Sequence, residues 1–257
     1  PMLDNLTENP HGYDLSSLIM ISSSGVMWSQ ENKQGLLQYI PQVILFDSFG
    51  SSEAVGMGGA ISAAGTATET AKFTLGPTCA VFTEDGRRVE PGSGERGLVA
   101  VGGNIPMGYY KDETKSAQTF RTFEGKRWSV PGDWAEILAD GTLVLLGRGS
   151  VCINTGGEKV FPEEVEEVLK RHASVRDAVA VGIPDTRFGE TICGVVEAEH
   201  DQVPTLAELN EHVKKSLAAY KAPRHIVVID TIGRAPNGKV DYKRLKAYAM
   251  KELGIAT

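Results

Sequence analysis

The apolar positions of this chain change rhythm twice. Residues 16–21 (SSLIMI) form a short apolar run ending in Ser-Ser-Ser-Gly, which predicts a strand entering a turn. Over residues 30–39, Leu36 and Leu37 stand in helical spacing with Ile40. Residues 43–50 (VILFDSFG) then predict a second strand that delivers a polar loop. Residues 56–71 hold four glycines and almost no large apolar side chain, and are expected to form a mobile surface loop. From 73 to 147 short β-runs alternate with turns. Asp85-Gly86 and Asp140-Gly141 sit between apolar runs and predict hairpins, so this stretch reads as a small barrel or a distorted sheet.

After Arg148 the rhythm becomes α+β. Pro162 opens a helix with Val165, Val168 and Leu169 on one face. AVAVGI and ICGVVEA follow as strands, Thr205 and Glu208 form a T-x-x-E capping box, IVVID is a strand, and a terminal helix carries Tyr242, Leu245 and Tyr248. The predicted organisation is therefore residues 1–147, α/β to 72 and β-rich from 73 to 147, followed by a separate α+β domain, 148–257. Residues 131–166 join a Gly-Asp, a strand pair, a Gly-Arg-Gly break, a Gly-Gly turn and a helix start, the order expected of two rigid bodies meeting at a flexible joint.

Composition narrows the classes. The 257 residues are 41% hydrophobic and 23% charged, ordinary for a globular protein, and are long enough for one large domain or two smaller ones. A net charge of −7 without a Lys/Arg block argues against a nucleic-acid surface. No apolar run reaches the roughly 20 residues that span a bilayer, and the first ten residues lack signal-peptide character. Cys79, Cys152 and Cys193 have no metal-ligand spacing and read as buried reduced thiols of a cytoplasmic protein. His172, His200, His212 and His225 stand in charged or helix-end contexts that predict solvated surface.

Several short segments carry side chains suited to nucleotide chemistry, although each alone also suits an ordinary turn. In Phe49-Gly50-Ser51-Ser52-Glu53 an aromatic can stack on a base, Gly50 admits close backbone approach, Ser52 can bond a phosphate and Glu53 can ligate Mg²⁺. Asp133, after Gly132, offers two acceptor oxygens, which suit a vicinal diol. Gly149, beside Ser150, makes backbone rotation cheap. Lys239, in Pro-Asn-Gly-Lys, is a compact point charge on a flexible stem.

Together these motifs resemble the adenylate-forming ligases: acyl-CoA synthetases, luciferases and peptide-synthetase adenylation domains. The resemblance implies ATP- and Mg²⁺-dependent conversion of a carboxylic acid to an acyl-AMP, then transfer to CoA. It makes Lys239 the catalytic cation bridging carboxylate and α-phosphate. Ser24, Gly25 and Val26 would line the adenine, with Phe49, Gly50 and Ser52 as further nucleotide contacts and Glu53 as the metal ligand. Asp133 and Arg148 would hold the ribose. Gly149 and Ser150 become the hinge, and Gly156, Gly157 and Lys159 would line the CoA channel. Residues 148–257 would be a mobile lid, and 1–147 the remainder of a larger AMP-binding domain.

Departures from the family pattern are local. Pro131 replaces a Thr, Ser150 an Asp or Lys, and Met27-Trp28 a Pro-Leu. The family's Ser/Thr/Gly-rich phosphate loop has no counterpart here, so the chain is expected to be the C-terminal part of a ligase, inactive by itself. Val26, Met27, Trp28 and the glycines near 56–60 imply a hydrophobic acid. The alternatives are adenylation for a carrier protein or an oxidation, and a non-catalytic nucleotide-binding module. The expected location is cytoplasmic, at most peripheral to a membrane; oligomeric state and chain length of the acid stay open.

Overall fold

The computed structural model describes residues 2–66, 69–199 and 202–255, which form two compact units, Pro1–Leu145 and Leu146–Thr257. The first begins with α1 (Met2–Glu8), β1 (Met20–Ser24), α2 (Gln30–Tyr39), β2 (Ile44–Ser51) and β3 (Ala54–Ser62). β1 and β2 run parallel from Met20↔Ile44 to Ser24↔Ser48, and α2 makes the crossover between them. The strand expected at 16–21 starts four residues later because Asp14 captures the chain first. Its Oδ1 accepts both the Ser16 N–H (3.0 Å) and the Ser16 hydroxyl (2.7 Å), an Asx turn that competes with extension.

Ser29 caps α2 by accepting the Asn32 N–H at 3.2 Å. Leu36, Leu37 and Ile40 then pack on Leu6, Val43 and Leu45. One cation joins this interior: Lys33, 1% exposed, meets Asp47 of β2 at 2.9 Å, donates to the Glu69 carbonyl at 3.0 Å and lies over the Trp28 ring. Desolvation raises the Asp47 carboxyl, with Lys33 pulling the other way.

The glycine-rich segment expected to be a loop is in large part a strand. β3 pairs antiparallel with β2 from Leu45↔Ser62 to Ser51↔Ala54, and Met57 is fully buried. Its glycines reflect close neighbours: a Cβ on Gly58 would meet Phe73 Cβ at 3.0 Å and the Thr74 carbonyl at 3.1 Å. Ala67 and Thr68, from the same segment, lie outside the described residues.

The β-rich stretch contributes β4 (Lys72–Leu75), β5 (Cys79–Phe82), β6 (Arg96–Val101), α3 (Glu113–Thr119), β7 (Phe120–Phe123), β8 (Lys126–Ser129), β9 (Asp133–Ile137) and β10 (Thr142–Arg148). Of the two readings for this stretch, the barrel is not formed among the described residues. The sheet runs open in the order β1-β2-β3-β4-β10-β9-β6-β8-β7, with β5 on β6. β10 pairs with β4, and β4 with β3, so these strands extend the N-terminal sheet instead of closing on themselves. Phe49, Met57, Phe73, Val81, Val99, Ala135 and Leu143 fill its core. The Asp140-Gly141 turn lies between β9 and β10, with Gly141 at φ 81°.

The second unit contains β11 (Ile153–Thr155), β12 (Glu158–Val160), α4 (Pro162–Lys170), β13 (Val175–Asp185), β14 (Gly189–Ala198), α5 (Leu206–Lys214), β15 (His225–Val228) and α6 (Tyr242–Glu252). Its sheet runs β12-β11-β14-β13, with β15 parallel on β14. Ala178, Ala180, Ile192 and Val196 pack under Val165, Val168 and Leu169 of α4 and Leu209 and Val213 of α5. The intervening Val179, Val181, Ile183, Cys193 and Val195 pack with Leu245, Ala249 and Met250 of α6. With both faces covered, these strands read as unbroken apolar runs.

The Thr205–Glu208 box caps α5 as expected, Thr205 N–H donating to Glu208 Oε2 at 2.8 Å. His172 and His212, expected in solvent, instead meet edge to face at 5.2 Å, and a His212 ring nitrogen lies 2.9 Å from the Val168 carbonyl oxygen. His225 is half-buried; His200 lies outside the described residues.

Candidate functional site

In the first unit the candidate side chains collect around the turn between β2 and β3. Ser51 pairs with Ala54, leaving Ser52 and Glu53 as a two-residue tip, Ser52 exposed and Glu53 half-buried. Gly50 sits where a Cβ would approach the Ala54 carbonyl at 3.2 Å. The Tyr109 hydroxyl donates to Glu53 Oε1 at 2.5 Å, and the Ser129 hydroxyl donates to the Glu53 carbonyl at 2.6 Å. The Tyr109 bond is the main reason the Glu53 carboxyl lies below its ordinary range. Lys115 stacks over the Tyr109 ring at 4.1 Å and adds positive potential. Neither Tyr109 nor Ser129 is visible from the sequence as a partner of Glu53, being 56 and 76 positions away.

Four residues after Ser129, Asp133 opens β9 behind Gly132, whose φ is 102°. It is 8% exposed. Phe49 differs from the expectation of a stacking surface. Its ring is 9% exposed and packs on Phe73 with centroids 5.6 Å apart, because strand alternation sends Leu45, Asp47 and Phe49 inward together. Ser24 closes β1 and Gly25 follows it; both are exposed, with Gly25 at φ 83° and Val26 36% exposed.

The hinge candidates belong to a tight turn. Arg148 ends β10, and Gly149–Val151 forms one turn of 3₁₀ helix with Gly149 and Ser150 exposed. The Arg148 N–H lies 3.4 Å from Glu163 Oε1 of α4. Gly156 and Gly157, at φ 60° and 88°, form the two-residue turn of the β11–β12 hairpin, the conformation a Gly-Gly pair adopts without strain. A Cβ on Gly156 would lie 3.1 Å from the Phe188 ring, whereas one on Gly157 would meet nothing within 4 Å. Lys159 follows on β12, half-buried.

Lys239 is exposed, on a compact turn in the second unit. The Ala235 N–H donates to the Lys239 carbonyl at 2.9 Å, and the Gly238 N–H to the Ala235 carbonyl at 2.7 Å. The Lys239 N–H donates to Asn237 Oδ1 at 3.2 Å. Beneath this turn lies a polar network the sequence did not announce: Arg234 forks onto Asp177, and Tyr242 donates to the buried Glu166. The structure thus gathers Glu53 with Tyr109 and Ser129 in one unit, and sets the Gly156-Gly157 hairpin and the Lys239 turn in the other.

Known proteins match this chain over nearly its whole length. Residues 164–239 fit the AMP-binding enzyme C-terminal domain. A medium/long-chain-fatty-acid–CoA/3-oxocholest-4-en-26-oate–CoA ligase of Mycolicibacterium smegmatis is 46% identical over 251 residues, 96% of this chain and 45% of that protein. A 3-oxocholest-4-en-26-oate–CoA ligase of Rhodococcus rhodochrous is 48% identical over 256 residues, with the same coverage. An o-succinylbenzoate–CoA synthetase of Bacillus subtilis, solved with its acyl-adenylate intermediate, superposes with a TM-score of 0.74 at 25% identity, covering 95% of this chain and 49% of its own. The chain thus spans about half the length of the curated relatives it matches.

Proposed function

Because the chain belongs to the adenylate-forming enzymes and carries their AMP-binding C-terminal domain, we propose that the whole protein activates a hydrophobic carboxylic acid with ATP and transfers it to coenzyme A. The observation carrying this reading is 46–48% identity, over 96% of the chain, to ligases of fatty acids and of a steroid carboxylic acid. Acids of that size and apolarity are the proposed substrates.

In the first half-reaction a carboxylate oxygen attacks the α-phosphorus of ATP, and the bond to pyrophosphate breaks. Two anions must approach, and the Lys239 ammonium lowers that barrier by lying between them. Asp133 accepts from the ribose hydroxyls, and Arg148 donates to the ribose. Ser24, Gly25 and Val26 border the adenine, with Gly50 and Ser52 on the phosphate side. Phe49, buried against Phe73, anchors the end of β2 that leads to Gly50 and Ser52.

A magnesium ion fits Glu53. Mg²⁺ is commonly held by one or two protein carboxylates plus substrate phosphates and water, and Tyr109 takes only one of the Glu53 oxygens. Bound there, the ion would supply positive charge to the phosphates. In the second half-reaction the CoA thiolate attacks the acyl carbonyl and AMP leaves with the bonding electrons. We assign Gly149 and Ser150 as the pivot of a mobile second unit, with Gly156, Gly157 and Lys159 along the thiol path. A cytoplasmic location accords with three cysteines that form no disulfide. Among the described residues no helix is long and apolar enough to cross a membrane.

The test is an acyl-CoA panel on the whole protein with ATP, Mg²⁺ and CoA. Medium- and long-chain fatty acids and steroid carboxylic acids are expected to yield AMP, pyrophosphate and thioester. Absence of ATP–pyrophosphate exchange with every acid overturns the proposal.

A further inference from the structure

The nine residues from Arg234 to Tyr242 are held at both ends by acids from other elements of the second unit. At the first end, Arg234 Nε and Nη2 meet Asp177 Oδ2 and Oδ1 at 2.6 and 2.8 Å, a bidentate fork onto β13. The third guanidinium nitrogen, Nη1, donates to the Gly238 carbonyl at 3.2 Å. That carbonyl belongs to the peptide bond that begins Lys239. At the other end Tyr242 donates its hydroxyl to Glu166 Oε1 at 3.0 Å, and the same oxygen accepts the Ala180 N–H at 3.0 Å. Between these anchors Gly238 takes φ 78°, which lets the turn close.

We infer that Arg234 is a positioning residue for Lys239, orienting the turn through the Gly238 carbonyl while Asp177 fixes the guanidinium. The inference rests on the proposed role of Lys239 in forming the acyl-AMP. The planar guanidinium holds the carboxylate with two coplanar donors and the carbonyl with a third in one fixed fork, which the single nitrogen of a lysine does not reproduce. Arg234→Lys therefore keeps the charge and loses the geometry. Because Lys239 acts at adenylation, the defect belongs to one half-reaction. Displacing a reacting group by about 1 Å costs up to about 100-fold in rate.

The experiment compares Arg234→Lys and Asp177→Asn with Lys239→Ala in the whole protein. ATP–pyrophosphate exchange reads adenylation, and thioester formation from supplied acyl-AMP reads the second half. The expected result for Arg234→Lys is a loss in exchange kcat of about 10- to 100-fold at little-changed KM for ATP. Thioester formation stays within about twofold, which also certifies the fold. Asp177→Asn is expected to fall in the same direction. Equal losses in both half-reactions, or exchange within about twofold of the parent while Lys239→Ala abolishes it, overturn the inference. Exchange that survives Lys239→Ala instead overturns the role of Lys239, and the inference with it.

Discussion

Tyr109 and Glu53, 56 positions apart, are joined by a hydroxyl-to-carboxylate hydrogen bond of 2.5 Å. The bond holds the carboxylate at the tip of the β2–β3 turn and favours its charged form. A carboxyl with a depressed pKa adds stability that is present above its unfolded value and is lost as pH falls through its folded value. In Tyr109→Phe the Glu53 carboxyl is expected to titrate higher, towards the ordinary 4.5, as followed by carbon-detected NMR of the side chain. Denaturant titrations between about pH 3 and 6 should show a shallower acid loss than in the parent. An unchanged Glu53 titration would remove Tyr109 as its cause.

Lys33 and Asp47 form a pair with almost no solvent contact. Lys33→Met leaves a buried carboxylate without its cation and is expected to cost about 3–5 kcal/mol in urea denaturation. The sign with pH follows from burial. The folded Asp47 carboxyl then lies further above its unfolded value, so the folded state holds more protons and stability falls as pH rises from about 4 to 7. Adding Asp47→Leu is expected to recover most of the loss.

Gly157 projects into open space at the hairpin tip, whereas Gly156 lies against Phe188. Gly157 lies at φ 88°, which a β-branched residue cannot take without strain but Asn tolerates. On the proposed reaction, Gly157→Asn narrows the thiol path and spares acyl-AMP formation. Thioester formation from supplied acyl-AMP is expected to fall more than about 10-fold, with ATP–pyrophosphate exchange within about twofold. Equal effects on both would place the damage in folding.

Glu166 is buried, and desolvation raises its carboxyl above the ordinary range. An acid raised in the folded state costs stability once pH exceeds its unfolded value. Glu166→Gln keeps an oxygen to accept from Tyr242 and Ala180, and is expected to flatten the stability profile from about pH 5 to 8. Thermal melts across that range measure it; a profile parallel to the parent would mean the group is charged in both states.

What could be read from the sequence was what neighbouring residues settle among themselves. The α5 cap needs only Thr205 and Glu208, three positions apart, and the α4 and α6 faces show directly in their helical spacing. β3 was missed because glycine leaves no side-chain signal. Its place depends on how closely Gly58 approaches Phe73 and Thr74, a contact that only the sheet creates. Phe49 drew attention as an aromatic beside a glycine, yet its parity with Leu45 already pointed it inward. Lys239 and Glu53 stand out by chemistry, whereas Arg234 and Asp177 are paired by topology across 57 positions.

The clamp on residues 234–242 has a dynamic consequence. A lysine on a slack loop could swing aside on the nanosecond scale of loop motion. With the turn pinned through Arg234 at one end and Tyr242 at the other, the proposed role of Lys239 implies that its main chain leaves a reaction centre by turning together with its whole unit. On the proposed cycle the exchange between half-reactions is then a slow, collective step whose tempo is set by drag on a large body, and solvent viscosity becomes one of its controls.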